Sequence, residues 1–258
     1  MTRERPAGDF DYDRYGDGYA NVRRPDPRIE QQVHAALGRS QTVLNVGAGT
    51  GSYEPSDRYV LAVEPSATMR AQRPPRAAPA VDAAAEDLPF DDDTFDAAMA
   101  VMTIHQWSDI SRGLREMRRV SRGAVVVLTL DAAALEQFWL IDYIPEVLAV
   151  ERARFPPLQQ VTNLLAANST DVRVDMVTVP RDCTDGFGEA FYARPEAFLQ
   201  PEVRAFTSGL VLTDQAAVQR GLDRLRQDLT SGEWDQRYGN LRTQPERNGA
   251  LRLVTAAR

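Results

Sequence analysis

Three glycines at alternate positions, Gly47, Gly49 and Gly51, follow the apolar run Val43-Leu44-Asn45-Val46. Glycine reaches backbone conformations closed to other residues and carries no Cβ. A strand that ends this way can turn sharply and let a bound molecule lie against bare backbone N–H groups. A second apolar run, Tyr59 to Val63, ends on Glu64. An acid at the tip of the neighbouring strand suits the two hydroxyls of a ribose. Turn and acid together point to an adenosine-type ligand. The dinucleotide fingerprint G-x-G-x-x-G fits less well, because its third glycine position is Ser52 and a glycine stands one residue early. His105 is the other candidate for chemistry. It follows the run Ala97 to Val101, at the carboxyl end of a strand, where open α/β sheets place their ligands. An ordinary imidazole pKa of about 6.5 suits proton removal at neutral pH, so His105 either faces an acceptor atom as a base or anchors its own loop.

Composition excludes more than it suggests. All 30 basic residues are arginine, which removes lysine Schiff bases, pyridoxal phosphate attachment and the P-loop lysine. Two histidines and one cysteine cannot build a thiolate or multi-histidine metal site, so no metal is expected. A formal charge of -7 argues against nucleic acid as a partner, since phosphate neutralisation dominates that affinity. No segment approaches the ~20 apolar residues of a membrane span, and no apolar signal core follows Met1. The lone Cys183 fits a reducing cytoplasm. A small-molecule substrate is the expectation, and the sequence is silent on oligomeric state.

The G-x-G-x-G form, then Glu64-Pro65-Ser66, then Ala85-Glu86-Asp87-Leu88-Pro89-Phe90, resembles the class I S-adenosylmethionine-dependent methyltransferases. Within them it is similar to the small-molecule methyltransferase type 11 group. The resemblance covers residues 40 to 130 and is loose elsewhere. It implies S-adenosyl-L-methionine as cofactor and methyl transfer to a small molecule as activity. Gly47, Ala48 and Gly49 would carry the cofactor on their backbone, with Glu64 and Pro65 at its ribose. Met69, Ala85 and Glu86 would line the adenine, and Val101 and Met102 would close the cleft at the next strand tip. Relatives have an acid where this chain has Asn45, which can hydrogen-bond the cofactor's amino group but carries no charge. The adenine-binding acid of relatives falls on Ala84, with Asp82 two residues early. Family members also close an N-terminal tyrosine–arginine segment over the cofactor. Tyr19 and Arg23 match it, the alternative being a solvated tail.

The elements that must position these groups can be read from pattern. Asp26 caps a helix with Pro27 at its first position, Ile29, Val33 and Leu37 form its stripe, and Gly38 ends it. His34 lies beside that stripe and reads as a surface residue. The stretch from Ser52 to Asp57 contains a proline and little periodicity, so the usual helix after the glycine turn is reduced to about one turn. Ser66 caps a short helix, and residues 70–80, with three prolines, read as a surface linker. Ile110, Leu114, Met117 and Val120 give an amphipathic helix, and residues 124–130 an unbroken apolar strand buried on both faces. These repeats indicate an α/β fold: a doubly wound, mostly parallel sheet, of seven strands if the resemblance holds, with a helical cap. Val172 to Val179 alternates as an edge strand, residues 214–231 form an amphipathic helix, and the last strand lies near the end, antiparallel in relatives.

Three units follow: 1–26 a lid or tail, 27–130 the cofactor-binding core, and 131–258 the rest of the sheet with a cap over 131–170 and 181–245. The aromatics Trp139, Tyr143, Phe187 and Phe191 follow the fifth and sixth strands. They either line an apolar substrate pocket or glue cap helices to the sheet. Two other functions stay open, a protein of this fold that binds S-adenosylmethionine without methylating and a nicotinamide-dependent oxidoreductase.

Overall fold

A computed structural model describes residues 23–167 and 171–258. The first described helix, α1 (Pro27–Ala36), starts where expected, with the Asp26 side chain accepting from Arg28 N–H and Pro27 at the first position. Strand β1 (Thr42–Val46) is nearly all buried, and β2 (Tyr59–Val63) pairs with it in parallel, Asn45 opposite Ala62 and Val46 opposite Val63. Helix α2 (Ala67–Ala71) is capped by Ser66, whose hydroxyl accepts from Met69 N–H. The two-residue β3 (Ala80–Val81), which pattern did not reveal, pairs in parallel with β2. Strand β4 (Ala97–Val101), helix α3 (Ile110–Val120) and strand β5 (Val125–Leu130) complete the parallel part.

Next come α4 (Leu140–Tyr143), α5 (Glu146–Arg154) and α6 (Leu158–Ala166). Strand β6 (Asp171–Pro180) leads to a run of short helices with α7 (Pro201–Ala205) and α8 (Ser208–Leu212). Then follow α9 (Gln215–Ser231), ended by Gly232 in the left-handed region, α10 (Glu233–Tyr238) and β7 (Glu246–Ala257). The seven strands form one sheet in the order β3-β2-β1-β4-β5-β7-β6. Strand β7 runs antiparallel to both β5 and β6, and β6 is the edge, as its alternation implied. The order reverses direction between β1 and β4. That is where a doubly wound sheet opens a crevice at its strands' carboxyl ends.

Two apolar cores sandwich the sheet. One holds Leu44, Val46, Leu114 and Met117; the other joins Val43, Met99 and Leu128 to the helices after β5. The second core contains an aromatic cluster. Trp139 lies edge-on to Tyr143, Phe198 and Trp234 at 6.0, 5.6 and 5.5 Å between ring centres. Its indole N–H donates to the Tyr192 carbonyl at 2.9 Å, and the Tyr143 hydroxyl donates to Asp228 at 2.8 Å. Both rings are buried, so the structure places Trp139 and Tyr143 in the core among the helices after β5, as packing residues. The sequence pattern had offered them also as pocket wall. Phe187 is likewise buried, and Phe191 is half-buried beneath the Arg194 guanidinium. Trp107 packs over Gly113 of α3, where any Cβ would fall 2.4 Å from the indole.

Truncating a ring in such a cluster removes its burial and leaves a cavity. Trp139→Ala is therefore expected to cost about 3–5 kcal/mol in urea unfolding. The folded fraction should bind cofactor as the unaltered chain does, and a variant of normal stability would place Trp139 outside the core.

Candidate active site

The carboxyl ends of β1, β2 and β4 meet around the glycine turn. Gly47, Gly49 and Gly51 have φ of 68, 53 and 94°, conformations that L side chains rarely adopt. Gly47 and Ala48 N–H groups donate to the Val63 carbonyl at 2.8 and 3.0 Å, which ties the turn to the tip of β2. A Cβ on Gly47 would fall 2.2 Å from the Thr103 hydroxyl, so the loop after β4 closes on this glycine. Met69 packs over Gly49 from the other side, 3.3 Å from a Cβ placed there. Met102 also has positive φ, 50°, as β4 turns away.

Glu64 is buried, at 7% exposure. Its Oε2 accepts from Gly49 N–H at 2.7 Å and its Oε1 from Ser66 N–H at 2.8 Å. Burial pushes this carboxyl above its usual range, and the two backbone donors oppose the shift. Each oxygen keeps one lone-pair direction, so a diol can still be accepted while the loop stays fixed.

Asn45 is also buried. Its amide N–H donates to Glu54 at 3.0 Å, while its Oδ1 has no partner among the described residues. An orphaned acceptor beside a turn of bare backbone fits a cofactor that offers a polar N–H there.

Beyond these strands, Ala85 is buried, and the Glu86 carboxylate accepts from the Ser108 hydroxyl and Asp109 N–H, bracing the loop after β3 against the start of α3. Asp82 pairs with Arg70 at 3.1 Å, and Arg70 donates to the Glu64 carbonyl at 2.6 Å. Pro65 and Val101 are half-buried beside Glu64 and Met102.

Three features were not legible beforehand. The helix after the glycine turn, expected to shrink to about one turn, is absent altogether, and what replaces it could not be read. Instead Arg73 and Glu54 form an ion pair at 2.6 Å, each side chain 6% exposed, and Arg73 also donates to the Gly49 carbonyl at 3.0 Å. Residues 70–80 are thus largely surface, as read, but they send one buried guanidinium under the site. His34 is no free surface residue, for its Nε2 donates to the Tyr53 carbonyl at 3.1 Å. Arg23 does not present an open guanidinium either; it pairs with Asp185 at 2.6 Å. Tyr19 lies outside the described residues.

His105 sits on a one-turn helix, Ile104–Gln106, directly beyond β4. Its ring stacks on Phe155 at 4.1 Å, and its Nδ1 is enclosed without a partner among the described residues. Burial, with the positive charges of Arg154 and Arg23, holds its pKa well below the usual imidazole value. His105 is therefore neutral at neutral pH. Among the described residues no cluster of three metal-ligating side chains occurs, and no helix is long and apolar enough to cross a membrane.

A seven-stranded sheet of this order, a positive-φ glycine turn and a buried acid at the next strand tip define a nucleoside-binding α/β protein of the class I methyltransferase type. The comparisons agree. Residues 44–129 match the family model described as a methyltransferase domain. A crystal structure from Anabaena variabilis, assigned as a methyltransferase of an antibiotic biosynthesis pathway, is 33% identical with a TM-score of 0.83. That match covers 91% of this chain and 98% of the other. A demethylmenaquinone methyltransferase of Mycolicibacterium gilvum is 37% identical over 97 residues, 35% of this chain. The chloroplastic 2-methyl-6-phytyl-1,4-hydroquinone methyltransferase of Spinacia oleracea is 29% identical over 146 residues, 50% of this chain. These two matches span only 42% of each curated relative. The chain belongs to the class I S-adenosylmethionine-dependent methyltransferases, in the type 11 group, whose cofactor is S-adenosylmethionine.

Two predictions test this geometry. Glu64→Gln should weaken S-adenosylhomocysteine binding about ten- to hundredfold by calorimetry, because the new amide N–H₂ must face either Gly49 N–H or Ser66 N–H. Binding within twofold of the unaltered chain would remove Glu64 from the site. The second concerns acid. Above pH ~6.5 His105 is neutral both folded and unfolded; below it the unfolded chain takes up a proton that the folded chain resists. Stability should thus fall more steeply from pH 6.5 to 5 in the native chain than in His105→Gln. Parallel curves would show that the imidazole titrates normally.

Proposed function

We propose that this chain transfers a methyl group from S-adenosylmethionine to a small, largely apolar or aromatic molecule. The observation that carries the reading is the Glu64 carboxylate, buried at the tip of β2 and bonded to the N–H of a glycine held at positive φ. When bound, the cofactor supplies an activated methyl on a positively charged sulfur, so the protein has chiefly to align acceptor and donor and exclude water. Gly47 to Gly49 offer bare backbone, Glu64 the ribose contact, and Asn45 Oδ1 an acceptor for a polar N–H. Thr103, Met102 and His105 lie at the β4 tip, on the side from which an acceptor would approach, and His105 would orient its reacting group.

The two curated relatives carry names that specify a hydroquinone and a demethylmenaquinone. Their likeness, with half-buried Phe191 beyond β6, supports an aromatic acceptor set by residues 131–212. Cys183 is a free, buried thiol whose pKa burial pushes up to about 12, in keeping with a proposed place in the reducing cytoplasm.

Calorimetry with S-adenosylhomocysteine and with NAD tests the reading. Binding of the first in the micromolar range or tighter is expected, and tight NAD binding with none for S-adenosylhomocysteine would overturn it. A chain that binds S-adenosylhomocysteine yet transfers no labelled methyl to any quinol or phenol tested would be the non-methylating alternative.

A further inference from the structure

Asp185 lies on the stretch leaving β6 and is 3% exposed. Two separate parts of the chain converge on its carboxylate. Arg23, from the segment entering α1, donates its Nε to Oδ1 at 2.6 Å and its Nη2 to Oδ2 at 3.3 Å. Tyr53, two residues beyond Gly51, donates its hydroxyl to Oδ2 at 2.8 Å. The backbones of Arg23 and Asp185 also form an isolated antiparallel bridge. Beside this node the Asp26 carboxylate accepts from Thr184 N–H at 3.1 Å, a second tie between the same two segments.

The loop after the glycine turn explains why the node matters. It has no helix to shape it, and Tyr53 stands at φ 62°, a conformation that costs a non-glycine residue energy unless its surroundings enforce it. Those surroundings are side chains on both flanks. Glu54 is held by Arg73, Asn45 and the Ala78 N–H, and Tyr53 by Asp185. The Tyr53 ring is 2% exposed, and burial with the neighbouring Asp185 charge raises its pKa, so it stays a donor.

We propose that Asp185 is a positioning residue for the cofactor: through Tyr53 it holds the glycine-turn loop, and through Arg23 it fastens the N-terminal segment to the acceptor side of the same cleft. The inference rests on the cofactor assignment of the proposed function. Parting such a pair would leave the buried Asp185 charge uncompensated, which holds the two segments together and suits a latch. The alternative is a stand-in: Asp185 occupying Arg23 until a cofactor carboxylate displaces it. That fits less well, because Asp185 also carries the Tyr53 hydroxyl and is buried at 3% exposure, with the Arg23 side chain half-buried against it at 12%.

The two roles differ in sign. Asp185→Asn and Tyr53→Phe are each expected to release S-adenosylhomocysteine about tenfold faster in stopped-flow. Asp26→Asn, which weakens the adjacent tie without touching the Asp185 carboxylate, should lower the thermal midpoint and leave the release rate unchanged. Should Asp185→Asn not fold, Tyr53→Phe decides alone. Unchanged release in the folded variants, or slower release and tighter binding, would overturn the latch. If the unaltered chain fails to bind S-adenosylhomocysteine, the cofactor assignment falls first and takes the latch with it.

Discussion

Burying the Glu64 carboxylate is the constraint from which the rest of the site follows. A carboxylate taken out of water is costly unless donors replace the lost hydration. Here the donors are two backbone N–H groups, Gly49 and Ser66, which belong to different loops. Satisfying one charge therefore fixes the glycine turn after β1 and the start of α2 together. The parallel register of β1 and β2 makes this possible, since it brings Val46 level with Val63 and places both tips at one height. Gly47 adds the third strand. Without a Cβ it lets Thr103 approach, so the β4 loop closes on the same turn.

The short connection after the turn shows how a chain can lose an element and keep a site. A helix would have satisfied the loop's backbone groups by itself. In its place a buried guanidinium, Arg73, donates to the Gly49 and Ala78 carbonyls and to Glu54, while Glu54 accepts from Ala78 N–H and Asn45. Every partner is a point contact and not a repeating ladder. Such a loop depends on a few side chains, and a change in Arg73 reaches Asn45 through Glu54.

What could be read from the sequence follows a physical division. Strands and helices with long apolar periodicity, such as β5 and α9, were plain because burial repeats along them. The glycine turn and Glu64 were plain because few residues can do what those positions demand. Long-range polar pairing was not: Arg73 with Glu54, Arg23 with Asp185 and His34 with the Tyr53 carbonyl join segments that no local pattern links. Aromatic clusters fell between. Trp139 and Tyr143 announce that something large is buried, but a ring lining a pocket and a ring filling a core leave the same letters in a sequence. The structure puts these two in the core, where their polar atoms meet Tyr192 and Asp228.

The electrostatics at His105 bear on which acceptors the proposed reaction can serve. Burial lowers its basicity first, and Arg154 and Arg23 add to that although each has its own carboxylate, Glu151 and Asp185. A positive field acts alike on every titrating group it reaches, favouring the deprotonated form. It disfavours a proton on the imidazole and equally favours loss of a proton from an acceptor hydroxyl beside it. Transfer from acceptor to imidazole gains nothing from such a field, because the two effects cancel. Loss of the proton to water gains from the positive charge, while burial, the larger influence on His105, opposes an anion there. Within the proposed reaction, a phenol or hydroquinone that ionises with modest help thus asks less of this weakly basic imidazole. An unactivated alcohol, which needs a strong base at the moment of attack, is served poorly. The same reasoning separates two roles for the residue. Replacing a base changes the pH profile of turnover, whereas replacing a hydrogen-bonding guide lowers turnover and leaves the profile in place.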